Sequence, residues 1–339
     1  NAIKILFVKI ININYLIFYK VLYFIGLVST NIRNKNTELK ITFVVLEAQK
    51  KWILGAIARE ILKNTFIKSQ TVNELRNLPD TKYFFFMHYA NMVHAYRMNP
   101  HLLHRQVFVY YTHPNDDFDF SENELIYLLN KTTQIFCMCE QFKKMLIAKG
   151  VSEKKISVYI GGADPNIFKP HKRSQGKVGF CTAFYERKSP ERIMQIVELM
   201  PHLNFILIGR NWENYSKFKY LSNLKNFEYV EANYDDYPDL YGSMDVFVSV
   251  SKLEGGPIPL IESMMCNIVP VASRTGFAQD IIRNDENGFL FDIDSEVEDI
   301  CKLIDKAINF NNDVDISLSV EDLSWSNFAM KIDRKIRSF

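Results

Sequence analysis

Short runs of consecutive apolar residues recur along the chain, separated by longer segments of mixed character. In the first half, 41–46 (ITFVVL), 82–88 (KYFFFMH), 106–112 (QVFVYYT), 134–139 (QIFCMC) and 156–160 (ISVYI) predict strands. Residues 52–62 (WILGAIAREIL) and 140–149 predict helices, the second stopped by Gly150. The second half alternates more regularly. Strands are predicted at 177–182, 204–208, 227–231, 245–250, 268–272 and 288–291, with Pro190 and Pro259 near helix starts. Continuous apolar strands between helices indicate parallel sheets covered on both faces. The segment 161–175 (GGADPNIFKPHKRSQ), rich in Gly, Pro and charge, predicts an interdomain linker. The expectation is an α/β protein of two doubly wound parallel-sheet domains facing a cleft. Its domains are 38–165 and 166–321, with a final helix at 322–339 packing back on the first. Ligands bind such sheets beyond the carboxyl ends of the strands.

Residues 1–37 stand apart. They hold Lys4, Lys9, Lys20, Arg33 and Lys35 and no acid. The formal net charge of +2 therefore divides into a basic, apolar leader and a remainder of 36 basic against 39 acidic residues, net −3. The stretch 5–29 is long enough to span a bilayer, but it contains Lys9, Lys20, Asn12 and Asn14, with Tyr15, Tyr19 and Tyr23 suited to an interface. A membrane-associated helix, spanning or lying in the surface, is the first expectation. A strand (KILFVKI) and a buried helix of an ordinary domain is the second. The slightly acidic body has no basic surface for nucleic acid, and 47% hydrophobic residues rule out a disordered chain.

The five cysteines, Cys137, Cys139, Cys181, Cys266 and Cys301, form no CxxC pair and sit mostly in apolar runs. Buried free thiols are expected, without a disulfide framework or structural zinc. The absence of GxGxxG and GxxxxGK disfavours the dinucleotide fingerprint and the P-loop. Asp117-Phe118-Asp119 has the form of a metal-binding DxD, but it follows Pro114-Asn115 and precedes Ser121 and Glu122, which favours a solvated loop. His94, His101 and His104 are close in sequence, yet Pro100 interrupts any helix joining them, so no metal site is expected.

The chemistry concentrates in 249–274 (SVSKLEGGPIPLIESMMCNIVPVASR). A strand is followed by a loop with two glycines and then by a helix starting near Pro259. Glu254 lies in the loop, and Glu262 is expected in the first helical turn. Such a loop presents backbone N–H groups from Gly255 to Leu260 at the positive end of a helix dipole, a means of holding phosphate without a metal. Two readings stand at this point: Glu262 reaches a ribose diol and Glu254 the hydroxyls or reacting face of a sugar, or Glu262 merely complements the helix dipole and Glu254 is solvated. Lys188, immediately before Ser189-Pro190-Glu191, is a cation at a helix start, an unfavourable place unless an anion lies nearby.

These residues resemble the retaining, two-domain glycosyltransferases of the GT-B fold, group four. Glu254 to Glu262 matches the E-x7-E motif in the context E-G-x-x-x-P-x-x-E. Gly162, Asp164, Phe168 and Pro170 match the interdomain G-x-D-x-x-x-F-x-P. Gly209, the run Asn287-Gly288-Phe289-Leu290 and Trp325 match further positions. The resemblance covers 130–335 specifically and 38–130 more loosely. It implies two Rossmann-like domains, the first serving the acceptor and the second the nucleotide-sugar donor. It implies catalytic roles for Glu254, Lys188 and His113, the last following a strand as His88 does. Donor binding is implied for Gly255, Gly256, Ile258, Pro259, Glu262, Arg187 and Gly209. No metal or cofactor is implied beyond the nucleotide-diphosphate sugar, which serves as substrate. The implied reaction is sugar transfer to an acceptor hydroxyl with retention, in surface polysaccharide or glycoconjugate synthesis. The partners are a nucleotide sugar, a glycan or lipid-linked acceptor and a membrane surface, with the protein in the cytoplasm or at the cytoplasmic face. One departure is Ala183, where relatives carry arginine; Arg187 is the candidate replacement. Ala183 keeps open a weakly active or inactive nucleotide-sugar-binding or scaffold protein of this fold, beside a GT-B-like sugar-nucleotide epimerase.

Overall fold

The structure, a computed structural model, describes residues 14–28, 38–49, 53–114, 119–174 and 176–339. Expectations resting on Lys4, Lys9, Arg33, Lys35, Trp52, Asp117 and Gln175 lie outside the described residues. The chain divides into two compact units. The first runs to Ile160 and takes up Phe328–Phe339; the second is Gly161–Asn327.

In the first unit a helix over residues 14–28 (α1) precedes β1 (Glu38–Val44), α2 (Ile53–Asn64), β2 (Ser69–Val72), β3 (Thr81–Phe86) and α3 (Tyr89–Met98). Then come β4 (Gln106–Tyr111), α4 (Glu122–Lys131), β5 (Gln134–Cys137), α5 (Glu140–Ala148) and β6 (Ile156–Val158). The described strands form one parallel sheet in the order β2-β1-β3-β4-β5-β6. The apolar run of β3 is buried on both faces, as a covered parallel sheet requires. Phe85 stacks on Phe43 of the neighbouring β1 at 5.1 Å and on Phe136 of β5, beyond β4, at 5.6 Å. β2 (SQTV) escapes the apolar pattern because it is a polar edge strand.

Helix α1 is tied down by a buried polar cluster. Tyr19 Oη donates to Glu124 Oε1 at 2.8 Å, and Arg97 grips the same carboxylate from Nε at 2.9 Å and Nη2 at 2.6 Å. Gly26 lies so close to the Pro100 carbonyl that a Cβ there would stand 2.3 Å from its oxygen. Tyr19, Leu22 and Gly26 share the inward side. The outward side is also apolar and remains exposed: Leu16, Ile17, Val21, Phe24, Ile25 and Val28.

The second unit holds β7 (Lys177–Cys181), α6 (Pro190–Leu199), β8 (Asn204–Ile208), α7 (Phe218–Leu221), β9 (Phe227–Val230) and α8 (Tyr237–Gly242). It continues through β10 (Val246–Ser249), α9 (Ile258–Met265), β11 (Val269–Ser273), α10 (Ala278–Ile281), β12 (Phe289–Phe291) and α11 (Val297–Ile308). Its strands form a second parallel sheet, β12-β11-β10-β7-β8-β9. From β7 the chain winds outward through β8 and β9, then returns to place β10 on the other side of β7. The strand order therefore reverses between β7 and β10, and a crevice opens beyond their carboxyl ends, where such sheets bind ligands. α12 (Trp325–Arg337) ends the chain's helices. In the first unit its Phe328 ring meets Tyr110, while Asp333 accepts from the Phe66 amide at 3.1 Å.

Candidate active site at the β7–β10 switch point

Lys188 and Glu254 both follow the strands that flank the switch point. After β7, Glu186–Lys188 forms one 3-10 turn, and Ser189 takes the left-handed backbone (φ 55°) that lets Pro190 open α6. A non-glycine residue held there stores strain of the kind found at functional loops. The turn brings both cations onto Glu254. Lys188 Nζ pairs with Oε1, and Arg187 Nη1 lies 3.5 Å from Oε2 while also donating to the Leu253 carbonyl at 2.8 Å. The Lys252 amide returns a bond to the Arg187 carbonyl at 2.8 Å. A small cavity of about 30 Å³, lined by Thr182, Lys188, Ser251, Glu254, Pro257 and Pro259 among others, lies between these loops. It has room for little more than a water.

The Glu254 loop is fixed by residues the sequence pattern did not single out. The Glu254 amide donates to Thr275 Oγ1 at 3.0 Å, and Ser273 Oγ donates to the Ser251 carbonyl at 2.6 Å. Gly276 (φ 58°) lies against the loop so closely that a Cβ would stand 2.8 Å from the Gly255 carbonyl oxygen and 2.9 Å from that of Glu254. The run of available amides is shorter than expected. The Ile258 amide donates to Gly256 O at 2.9 Å and that of Leu260 to Pro257 O at 2.8 Å, while Pro257 and Pro259 have no N–H. Gly255 and Gly256 keep amides with no partner among the described residues. α9 starts at Ile258, so Glu262 is its fifth residue, just past the first turn where it was expected. Ile258 is buried and Pro259 half-buried at the helix start.

The two glutamates are buried alike and charged differently. Burial pushes the Glu254 carboxyl up, but Lys188 and then Arg187 outweigh it and hold the group below the usual carboxylate range. Glu262 has no such cation. Its Oε1 accepts from Tyr234 Oη at 2.6 Å and its Oε2 from Tyr241 Oη at 3.0 Å. Burial dominates there, and the group is pushed up to about 7 from an ordinary 4.5. Folded Glu262 thus keeps a proton that the unfolded chain gives up above 4.5. Its contribution to stability falls as pH rises from about 4.5 to about 7 and stays low above that. Urea denaturation of Glu262→Gln should show a change relative to wild type that is more stabilising at pH 8 than at pH 5. Equal changes at both pH values would mean that Glu262 ionises as an ordinary carboxyl.

The remaining candidates lie elsewhere in the two units. Gly209, the residue after β8, has a packing reason to be glycine: a Cβ would stand 1.9 Å from the Thr182 carbonyl oxygen, which also accepts Trp212 Nε1 at 2.8 Å. Ala183 sits between Thr182 and Phe184, whose amide bonds the Arg210 carbonyl at 3.0 Å. His113 follows β4 in the first unit and is half-buried. His88 follows β3, accepts the Ala90 amide on Nδ1 at 3.1 Å and caps α3. Burial, then the nearby His113, lowers its pKa to about 4. The three histidines around Pro100 are dispersed. His94 stands 3.5 Å from Asp119, His101 is buried edge-on to Phe84, and His104 bonds the Tyr23 carbonyl at 2.8 Å.

Two doubly wound units, one with a charged crevice at its switch point, define the class of GT-B proteins. Comparison with known proteins narrows this. Residues 164–315 match the family of glycosyl transferases group 1. An Escherichia coli protein, UDP-Gal:alpha-D-GlcNAc-diphosphoundecaprenol alpha-1,3-galactosyltransferase, is 25% identical over 209 residues, covering 54% of either chain. The chain therefore spans about half the length of this curated relative. Among solved structures, Anabaena HepE in complex with UDP superposes with a TM-score of 0.73 at 14% identity, covering 88% of this chain and 100% of HepE. The lipopolysaccharide outer core galactosyltransferase WaaB gives 0.70 at 13%, covering 88% and 99%. These likenesses establish the GT-B fold.

Proposed function

We propose that the chain transfers a glycosyl unit from a nucleotide-diphosphate sugar to an acceptor hydroxyl with retention, in the synthesis of surface polysaccharide or a related glycoconjugate. The observation that carries this reading is the convergence of Lys188, Arg187 and Glu254 at the switch point of the unit that matches the family. Negative charge builds on the departing diphosphate while the sugar becomes oxocarbenium-like. Lys188, Arg187 and the Gly255 and Gly256 amides hold the first, and Glu254 orients the second. Glu262 takes the ribose. His113 is the candidate catalytic residue of the first unit. The curated relative and the HepE complex favour a uridine diphosphate donor, and the relative's name favours a lipid diphosphate-linked acceptor. The experiment is incubation with UDP-galactose, UDP-glucose and their N-acetyl forms plus a lipid diphosphate-linked sugar. The expected product carries the donor's anomeric configuration; an inverted linkage would sink the retaining assignment. Ala183 favours a second reading, nucleotide-sugar binding without turnover, which calorimetric binding without product would support.

The lipid-linked acceptor gives α1 a role. Among the described residues no helix is long and apolar enough to cross a membrane. Yet α1 is apolar all round, a character suited to a core or a bilayer, and Lys20 is its one charged residue. The proposal is that its outward side lies in the surface of an anionic membrane, at the cytoplasmic face. Wild-type protein should sediment with phosphatidylglycerol vesicles. Ile17→Asp with Phe24→Asp should weaken that binding on the order of tenfold or more. A wild-type protein that ignores the vesicles would make α1 a purely structural helix.

A further inference from the structure

Glu262 is built to accept hydroxyl groups, and one of the two it holds stands at the surface. Tyr241 is fully buried on α8, with its ring against Phe168 at 5.7 Å and Phe247 at 6.3 Å. It cannot leave Oε2 without opening the core. Tyr234 is different. It is 48% exposed and belongs to a single 3-10 turn, Tyr234–Asp236, closed by reciprocal bonds between Asn233 and Asp236. Its ring rests edge-on against Phe168 at 5.9 Å and beside Tyr237 at 5.3 Å, and only its hydroxyl reaches inward, to Oε1. The titratable groups facing the carboxylate are neutral hydroxyls and thiols: Tyr234 and Tyr241, then Tyr237, Cys181 and Cys266. None of them fixes the carboxylate as a cation would.

We propose that Tyr234 is a positioning residue for the nucleoside: its hydroxyl holds the Glu262 Oε1 position that a ribose hydroxyl takes over, so donor binding is an exchange of one hydroxyl for another. The proposal rests on the donor-site reading of Glu262 and adds to it the residue that competes for the same oxygen. Such an exchange conserves the hydrogen bond to a buried carboxylate, which is costly to leave unmade. A nucleotide lacking the hydroxyl cannot make the exchange and leaves Tyr234 on Glu262, so removing the tyrosine hydroxyl gives it no advantage.

The test is titration of wild type and Tyr234→Phe with UDP, ADP and GDP, and with the 2′-deoxy and 3′-deoxy form of whichever binds. Phenylalanine keeps the ring contacts and removes the competing hydroxyl. The variant should bind the ribonucleotide about threefold to tenfold more tightly, the scale of one net hydrogen bond. That gain should vanish with at least one deoxy analogue. An unchanged or weaker affinity, or an equal gain for the ribonucleotide and both deoxy forms, overturns the proposal and leaves the donor site standing. If neither protein binds any of the three nucleotides, the donor-site reading fails and the proposal fails with it.

Discussion

Glu254→Gln is expected to lower kcat/KM by on the order of a hundredfold to a thousandfold, the usual cost of removing one preorganised charge at the transition state. The carboxylate is buried at the crevice, its amide is pinned by Thr275, and two cations keep it ionised. The amide variant preserves shape and takes away the charge. Folding should be little affected, because Lys188 and Arg187 are partly exposed and water replaces their partner. Steady-state kinetics with the best donor, beside a thermal melt, separates the two effects. Loss of activity with an unchanged melt is the expected pair of results. A variant as active as wild type would remove Glu254 from the chemistry.

Lys188→Met should do damage of both kinds. Kinetically it removes the principal cation proposed for the leaving diphosphate, a loss on the order of 3 kcal/mol at the transition state. Structurally it leaves Glu254 buried with Arg187 as its remaining cation, and breaking a buried pair from one side costs about 3–5 kcal/mol before discounting the partial exposure of Lys188. Because pairing depresses the Glu254 pKa, this stabilisation is present at neutral pH and is lost as pH falls through the folded value. The destabilisation by Lys188→Met should therefore be greatest near neutrality and shrink in acid. Lys188→Met combined with Glu254→Gln should recover most of the stability, since neither charge is then left alone, and none of the activity. Urea denaturation and turnover on the same three variants check this. Recovery of activity in the double variant would mean that the pair is structural only.

The fold was legible because parallel strands covered on both faces must be apolar throughout, and TKYFFF or VFVS can scarcely be anything else. The polar edge strand β2 left no such trace. Helix α3 begins on His88, whose ring nitrogen supplies the cap, so the usual Ser, Thr or Asp start signal is missing. In the candidate site, the eight-residue spacing of Glu254 and Glu262 and the cation at the start of α6 are local in sequence and were readable. The partners that give them opposite charge behaviour come from other elements. Tyr234 and Tyr241 precede Glu262 by 28 and 21 residues, and Thr275 follows Glu254 by 21. Folding alone brings them together. The amide count was overestimated for a related reason: Ile258 and Leu260 spend their N–H groups on tight turns that a glycine-rich loop does not announce.

The central claim is that the second unit binds a nucleotide-diphosphate sugar across Lys188, Glu254 and Glu262 and releases its sugar to an acceptor. Its most direct test is release of nucleoside diphosphate from a panel of nucleotide sugars, with wild type and Glu254→Gln compared side by side in the presence of a lipid-linked acceptor. One donor should give acceptor-dependent release with wild type and at least a hundredfold less with the variant. Release that is absent for every donor, or the same for both proteins, would contradict it.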